Sequence, residues 1–167
     1  IAKLEAGSIQ AQVPVDHEDA VSVLYFQAAD DSLQQRAITS LVAEMLSAPF
    51  YNSLRTEKQL GYVVSAFASH QGPVPGLAML AQSPVADEQQ LRDEFEGFIN
   101  DYAATVAELT EQDLSRYQDS LLSNLEEKPK NLAEMNGRFM ESLGLGYRDF
   151  DFRAQLGAAI RDVDIDT

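Results

Sequence analysis

Cysteine is absent from this 167-residue chain, which removes disulfides, thiolate zinc sites and cysteine nucleophiles from consideration within it. Histidine is nearly as scarce, at two residues. Basic residues are also few: 12 Lys and Arg stand against 27 Asp and Glu, for a formal charge of −15. That balance repels nucleic acid and anionic membrane surfaces, so neither is expected as a partner. Its ordinary meaning is solvated helix faces, with attraction for cationic peptides as the second reading. No apolar run approaches the roughly 18 residues of a membrane span. The start, Ile1-Ala2-Lys3-Leu4, lacks the basic and apolar regions of a signal peptide.

What is present is ordinary globular composition, 45% hydrophobic and 23% charged. A domain of this length buries about 70% of its unfolded surface, so a sizeable core is available. There is no internal repeat and no low-complexity linker, and one domain spanning residues 1–167 is the expected organisation. The chain begins at Ile1 rather than Met and stops at Asp164-Ile165-Asp166-Thr167, just after a helical pattern. It is therefore expected to be a truncated piece of a longer polypeptide.

Ile9, Ala11, Val13 and Val15 alternate with Gln10, Gln12 and Pro14, the period of a half-buried strand, with the proline placing it at an edge or strand end. Ala20 to Gln27 is apolar on both faces and reads as a central strand. Asp30, Asp31 and Ser32 offer N-caps to a helix whose Leu33, Ala37, Ile38, Leu41, Val42 and Met45 recur at helical steps. Pro49 is expected to break it, and Phe50-Tyr51-Asn52-Ser53 to begin a short second helix that carries Leu54 and Arg55 to a turn at Gly61. Tyr62 to Ser69 alternates as a strand. The turn-rich run Gln71 to Gly76 then sets it antiparallel to Leu77 to Ser83.

From Asp87 the period becomes helical: Leu91, Phe95, Phe98, Ile99, Tyr102 and Val106 share a face. Thr110 and Asp113 form a capping box for the next helix, with Asp in place of the usual Glu. Pro129 separates it from a helix through Leu132, Met135, Phe139, Met140 and Leu143, and Phe152, Leu156 and Ile160 mark a last one. The expected fold class is α+β, with a mainly antiparallel four-stranded sheet packed against several helices in two layers.

Neither histidine supports a metal. His17-Glu18-Asp19-Ala20-Val21 begins like a zinc helix, but Val21 stands where the second histidine is required, and His70 has no ligand spacing at all. No serine sits in a nucleophile elbow, and no glycine loop fits a phosphate. Asp30-Asp31 and Asp87-Glu88 lie at expected helix N-termini, where they complement the backbone dipole.

Arg55 and Tyr62 are the remaining candidates. They flank the reversal in Leu54-Arg55-Thr56-Glu57-Lys58-Gln59-Leu60-Gly61-Tyr62-Val63-Val64. A planar guanidinium and a phenol hydroxyl could together hold a peptide carbonyl or a developing oxyanion. From position alone, the favoured reading is the plainer one, Arg55 as a surface cation beside a carboxylate and Tyr62 as a core ring.

That stretch resembles the last homologous domain of the pitrilysin-like, insulinase family of zinc metalloendopeptidases. Phe50-Tyr51-Asn52, Gly76-Leu77, Gln82-Ser83 and Glu127-Lys128-Pro129-Lys130-Asn131-Leu132 resemble the same domain in the same order, so the likeness runs from about Val21 to Val163. It implies a processing-peptidase-like metallohydrolase fold and a parent enzyme of four related domains enclosing a chamber for peptides. It also implies Zn2+ on an inverted His-x-x-Glu-His motif in the first domain. This chain has no such motif and would be the zinc-free C-terminal domain, with no catalytic or metal residues of its own and inactive alone. Arg55 and Tyr62 would be substrate-binding residues facing the scissile bond. The expected partners are peptide substrates and the other homologous domains of the same polypeptide. The alternative is a scaffold domain of an inactive or processing-peptidase-like paralogue. Bacterial members of the family are often periplasmic, a placement that a cysteine-free chain fits.

Overall fold

A computed structural model describes residues 7–148 and 150–166. The Ile1 to Leu4 start and the final Thr167 lie outside the described residues. Three strands and five α-helices follow in the order β1 (Ala20–Gln27), α1 (Leu33–Tyr51), β2 (Val63–Gln71), β3 (Val74–Ser83), α2 (Glu88–Ala107), α3 (Glu111–Glu126), α4 (Leu132–Gly144) and α5 (Phe152–Arg161). A six-residue π-helical turn, Asn52–Glu57, extends α1 toward β2.

The sheet is antiparallel in the order β1-β3-β2. Its register sets Val21 opposite Gln82 and Gln82 opposite Val63. The described residues thus form three strands where four were expected. The Ile9 to Val15 stretch joins no ladder, and Ile9 is 78% exposed. Alternation alone does not make a strand; an edge with free backbone partners must be there to receive it, and Pro14 has no N–H to offer one. The segment is tied to α2 by a side chain instead, Arg92 Nη1 donating to Gln10 Oε1 at 2.7 Å.

Pro49 does not break α1, which continues through it to Tyr51. A proline at that position leaves the Met45 carbonyl, four residues earlier, without its helical donor. The Tyr102 hydroxyl on α2 donates to that carbonyl at 3.0 Å, so the vacancy is filled by tertiary structure. The expected β2–β3 turn also shrinks. Only Gly72 and Pro73 separate the strands, with Gly72 in the left-handed region at φ 60° that its missing Cβ permits. Pro75 is accommodated inside β3 because β1 pairs only from Gly76 onward, and the Pro75 carbonyl accepts from Ala28 N–H at 2.9 Å.

Helix α1 joins two cores. Its second half and the π-helical turn bury Leu46, Phe50 and Leu54 against Val64, Ala66, Met79 and Ala81 of the sheet and Leu91, Phe95 and Phe98 of α2. Phe50 sits edge-on to Phe95 and Phe98, with both centroid separations at 5.2 Å. Its first half packs Ala37 and Leu41 against Leu114 and Leu122 of α3 and Phe152, Leu156 and Ile160 of α5. The Thr110–Asp113 capping box closes α3 as expected.

The apolar stripe of α4, from Leu132 to Leu143, stays exposed, as do Val21, Val23, Val63 and Phe67 on the sheet face opposite α1. The fold is therefore a mixed helix-and-sheet architecture with one sheet face open at the end where β2 begins.

Candidate functional site

The approach to β2 is built around Leu54, which is fully buried in the sheet–α2 core. Lys58 N–H reaches back to the Ser53 carbonyl at 3.0 Å and Leu60 N–H to the Leu54 carbonyl at 2.9 Å, so the chain leaves the helix through widened turns. Gln59 then adopts φ 54°, a left-handed conformation that is uncommon outside glycine. Gly61 follows, pressed on β3 so closely that a Cβ there would lie 2.0 Å from the Gln82 carbonyl oxygen. The Ser83 hydroxyl fixes the far side: it donates to the Leu60 carbonyl and accepts from Ala86 N–H at 2.8 Å.

This anchored reversal brings Arg55 and Tyr62 to one open cavity of about 460 Å³, which Tyr51, Thr56, Gln59, Gly61 and Pro84 also line. Arg55 is exposed, and its Nη1 donates to the Gly61 carbonyl at 2.7 Å. Tyr62 is 53% exposed rather than a core ring. Its hydroxyl donates to Asp19 Oδ2 at 2.7 Å. Gln82 Nε2 donates both to Asp19 Oδ2, at 2.8 Å, and to the Tyr62 oxygen, at 2.7 Å.

The electrostatics follow from those bonds. The Tyr62 hydroxyl and then the Gln82 amide hold the Asp19 carboxyl below its ordinary range, and His17 adds a smaller contribution in the same direction. The bond to the Asp19 carboxylate pushes the Tyr62 phenol upward, with desolvation adding to it. Tyr62 is a neutral phenol and Asp19 a carboxylate at neutral pH.

Arg55 and Tyr62 thus share one site; of the two histidines, His17 borders its Asp19 and His70 bonds within the β2–β3 turn. His17 accepts from Asp19 N–H at 3.0 Å. His70 lies in the last turn-proximal residues of β2 and contacts the Gly72 carbonyl at 3.0 Å. Among the described residues no group of three or more His, Cys, Asp or Glu side chains could hold a metal ion. The donor set here does not fit zinc. Sequence reasoning did not single out Asp19 or Gln82 as site residues. They stand 43 and 20 residues from Tyr62 in the chain, and only the β1-β3-β2 register brings them to it.

Over residues 41–140 the chain matches the family described as PQQ synthase PqqF-like, C-terminal lobe domain 4. It belongs to that family. It is also 26% identical over 144 residues to Protease 3 of Salmonella typhi, covering 86% of this chain and 15% of that protein. The insulin-degrading enzyme of Drosophila melanogaster is 24% identical over 147 residues, covering 88% of this chain and 15% of the enzyme. The chain therefore spans about 15% of the length of these curated relatives. The crystal structure of pitrilysin superposes with a TM-score of 0.81 at 25% identity, over 90% of this chain and 16% of that one. An inactive peptidase domain from Bordetella parapertussis shares the fold, with a TM-score of 0.67 at 14% identity over 89% of this chain and 80% of that one. This PqqF-like domain is homologous to insulinase-family peptidases, as its central stretch implied.

Proposed function

We propose that this PqqF-like chain is a single zinc-free domain of a zinc metalloendopeptidase and that it positions peptide substrates for hydrolysis carried out by residues elsewhere in the polypeptide. Arg55 and Tyr62 are the substrate-binding pair, and the partners are peptides and the other homologous domains. One observation carries this reading: two side chains with hydrogen-bonding capacity, seven residues apart, are held at one open cavity, Arg55 by the Gly61 carbonyl and Tyr62 by the Asp19 and Gln82 side chains. Such anchoring reduces the entropy lost when a substrate is bound and is what positioning requires. Arg55 keeps guanidinium N–H groups beyond the one given to Gly61, so it can donate to a substrate carbonyl or to charge that develops on it.

The test is peptide hydrolysis by the full-length enzyme carrying Arg55→Ala or Tyr62→Phe. Each variant is expected to fold and to lose turnover by about tenfold or more, the effect of misplacing a substrate. Wild-type turnover in both would refute the reading. A second reading, a scaffold domain in an inactive paralogue, is favoured by the exposed apolar stripe of α4 and the open sheet face. The two separate on the upstream sequence of the gene: an inverted zinc motif supports the enzyme, and its absence supports the scaffold.

A further inference from the structure

Tyrosine has one hydroxyl proton and two oxygen lone pairs. In this site the proton is committed to Asp19 Oδ2, and one lone pair takes the Gln82 amide. What Tyr62 still presents is a lone pair. Arg55, with Nη1 on the Gly61 carbonyl, presents only N–H donors. The two side chains therefore offer opposite hydrogen-bonding character to the same cavity.

We propose that Asp19 and Gln82 are positioning residues that hold Tyr62 as a hydrogen-bond acceptor, so that Tyr62 receives a backbone N–H of the bound peptide while Arg55 donates to a backbone C=O. This rests on the reading of Arg55 and Tyr62 as substrate contacts and deepens it. The pair reads the main chain, whose N–H and C=O groups every residue but proline supplies, and so binds peptides with little regard to their side chains. Proline at the recognised position is the exception, because it has no N–H.

The surroundings of the network agree with a fixed direction for that proton. Asp19 immediately precedes β1 and Gln82 lies near the end of β3, and the Val21–Gln82–Val63 register fixes these strands beside each other. His17 Nδ1 lies 3.9 Å from Asp19 Oδ1, on the other carboxylate oxygen from the one that Tyr62 and Gln82 use. Asp19 is held in its ionised form by Tyr62 and Gln82, so the better acceptor of the pair keeps the proton's hydrogen bond and the phenol stays neutral.

The test is a backbone ester scan in the full-length enzyme. One peptide substrate is prepared with each amide outside the scissile bond replaced in turn by an ester, which deletes a single N–H. In the wild type one position is expected to lose kcat/KM by about 2- to 12-fold, chiefly in KM, the effect of one hydrogen bond. In Tyr62→Phe that ester should cost nothing more. Asp19→Ala and Gln82→Met, which remove the two anchors separately, should shrink the ester effect at the same position. Added to Tyr62→Phe, each should bring no further loss of hydrolysis, because both act through the hydroxyl. The 13Cζ signal of Tyr62 should titrate at lower pH in Asp19→Ala than in the wild type, which checks that the Asp19 carboxylate takes the hydroxyl's hydrogen bond, while the loss of the ester effect is the readout that a purely structural strap would not move.

An ester scan with no position sensitive to Tyr62 overturns the acceptor role. Full additivity of Asp19→Ala or Gln82→Met with Tyr62→Phe overturns the positioning role. Wild-type kcat/KM in both Arg55→Ala and Tyr62→Phe would instead defeat the underlying reading of the site, so the failures are distinguishable.

Discussion

Replacing Gly61 with alanine tests the geometry on which the site depends. The new Cβ would stand 2.0 Å from the Gln82 carbonyl oxygen and 3.0 Å from its carbon, both backbone atoms that no rotamer change can move. Ordinary contact begins near 3.4 Å, so the turn and β3 must separate by about 1.4 Å. That movement strains the Val63–Gln82 pairing and the Ser83 bond to the Leu60 carbonyl. Gly61 does not itself occupy the left-handed region, so the cost is steric and falls at the upper end of overpacking, about 3 kcal/mol. At this chain length the melting temperature should fall by roughly 6–12 °C. Gly97, mid-way along α2 with no heavy atom within 4 Å of its added Cβ, is the control. Gly97→Ala should gain about 0.5–1 kcal/mol from helix propensity alone. Thermal denaturation by circular dichroism measures both. Hydrolysis by the full-length enzyme should fall in Gly61→Ala, since the Arg55 anchor and the Gln82 amide shift together, and be unchanged in Gly97→Ala. A Gly61→Ala protein melting within about 1 °C of the wild type would refute the close approach.

Two further outcomes are expected. Tyr102→Phe leaves the Met45 carbonyl without a donor and should cost about 1–3 kcal/mol in urea unfolding; Pro49→Ala in that background restores a helical N–H and should recover part of the loss. No recovery would refute the substitution of Tyr102 for the missing backbone donor. The capping-box carboxylate Asp113 is held below its ordinary range, first by the Thr110 hydroxyl and then by the Thr110 backbone. A lowered folded value means that its contribution is fully present above the unfolded value of about 3.9 and is lost as pH falls through the folded one. Asp113→Ala should therefore melt below the wild type at pH 7, with the gap narrowing under acid; a gap constant down to about pH 2 would refute the cap.

Much of this fold is legible along the chain because it is governed by local periodicity. The five helices α1 to α5 follow stripes such as Leu91–Phe95–Phe98, and the Thr110–Asp113 box is a statement about four consecutive residues. The strands β1 to β3 are similarly local in composition. The misreadings occur where a distant group supplies what the local chain lacks. Pro49 looks like a helix end until Tyr102, 53 residues on, donates to the carbonyl it leaves bare. Ile9 to Val15 looks like a strand, but strand identity depends on a partner edge that lies outside the segment.

The candidate site divides along the same line. The sequence by itself determined that Arg55 and Tyr62 flank a reversal, that neither histidine stands in the spacing of a zinc motif, and that the central stretch resembles the insulinase family. Those are properties of residue type and spacing. Only the tertiary structure decided that the two side chains share one cavity, and that the Tyr62 hydroxyl already donates to Asp19 while accepting from Gln82. A hydroxyl's direction is set by its neighbours in space, and these neighbours reach Tyr62 through the register of three strands rather than through the chain.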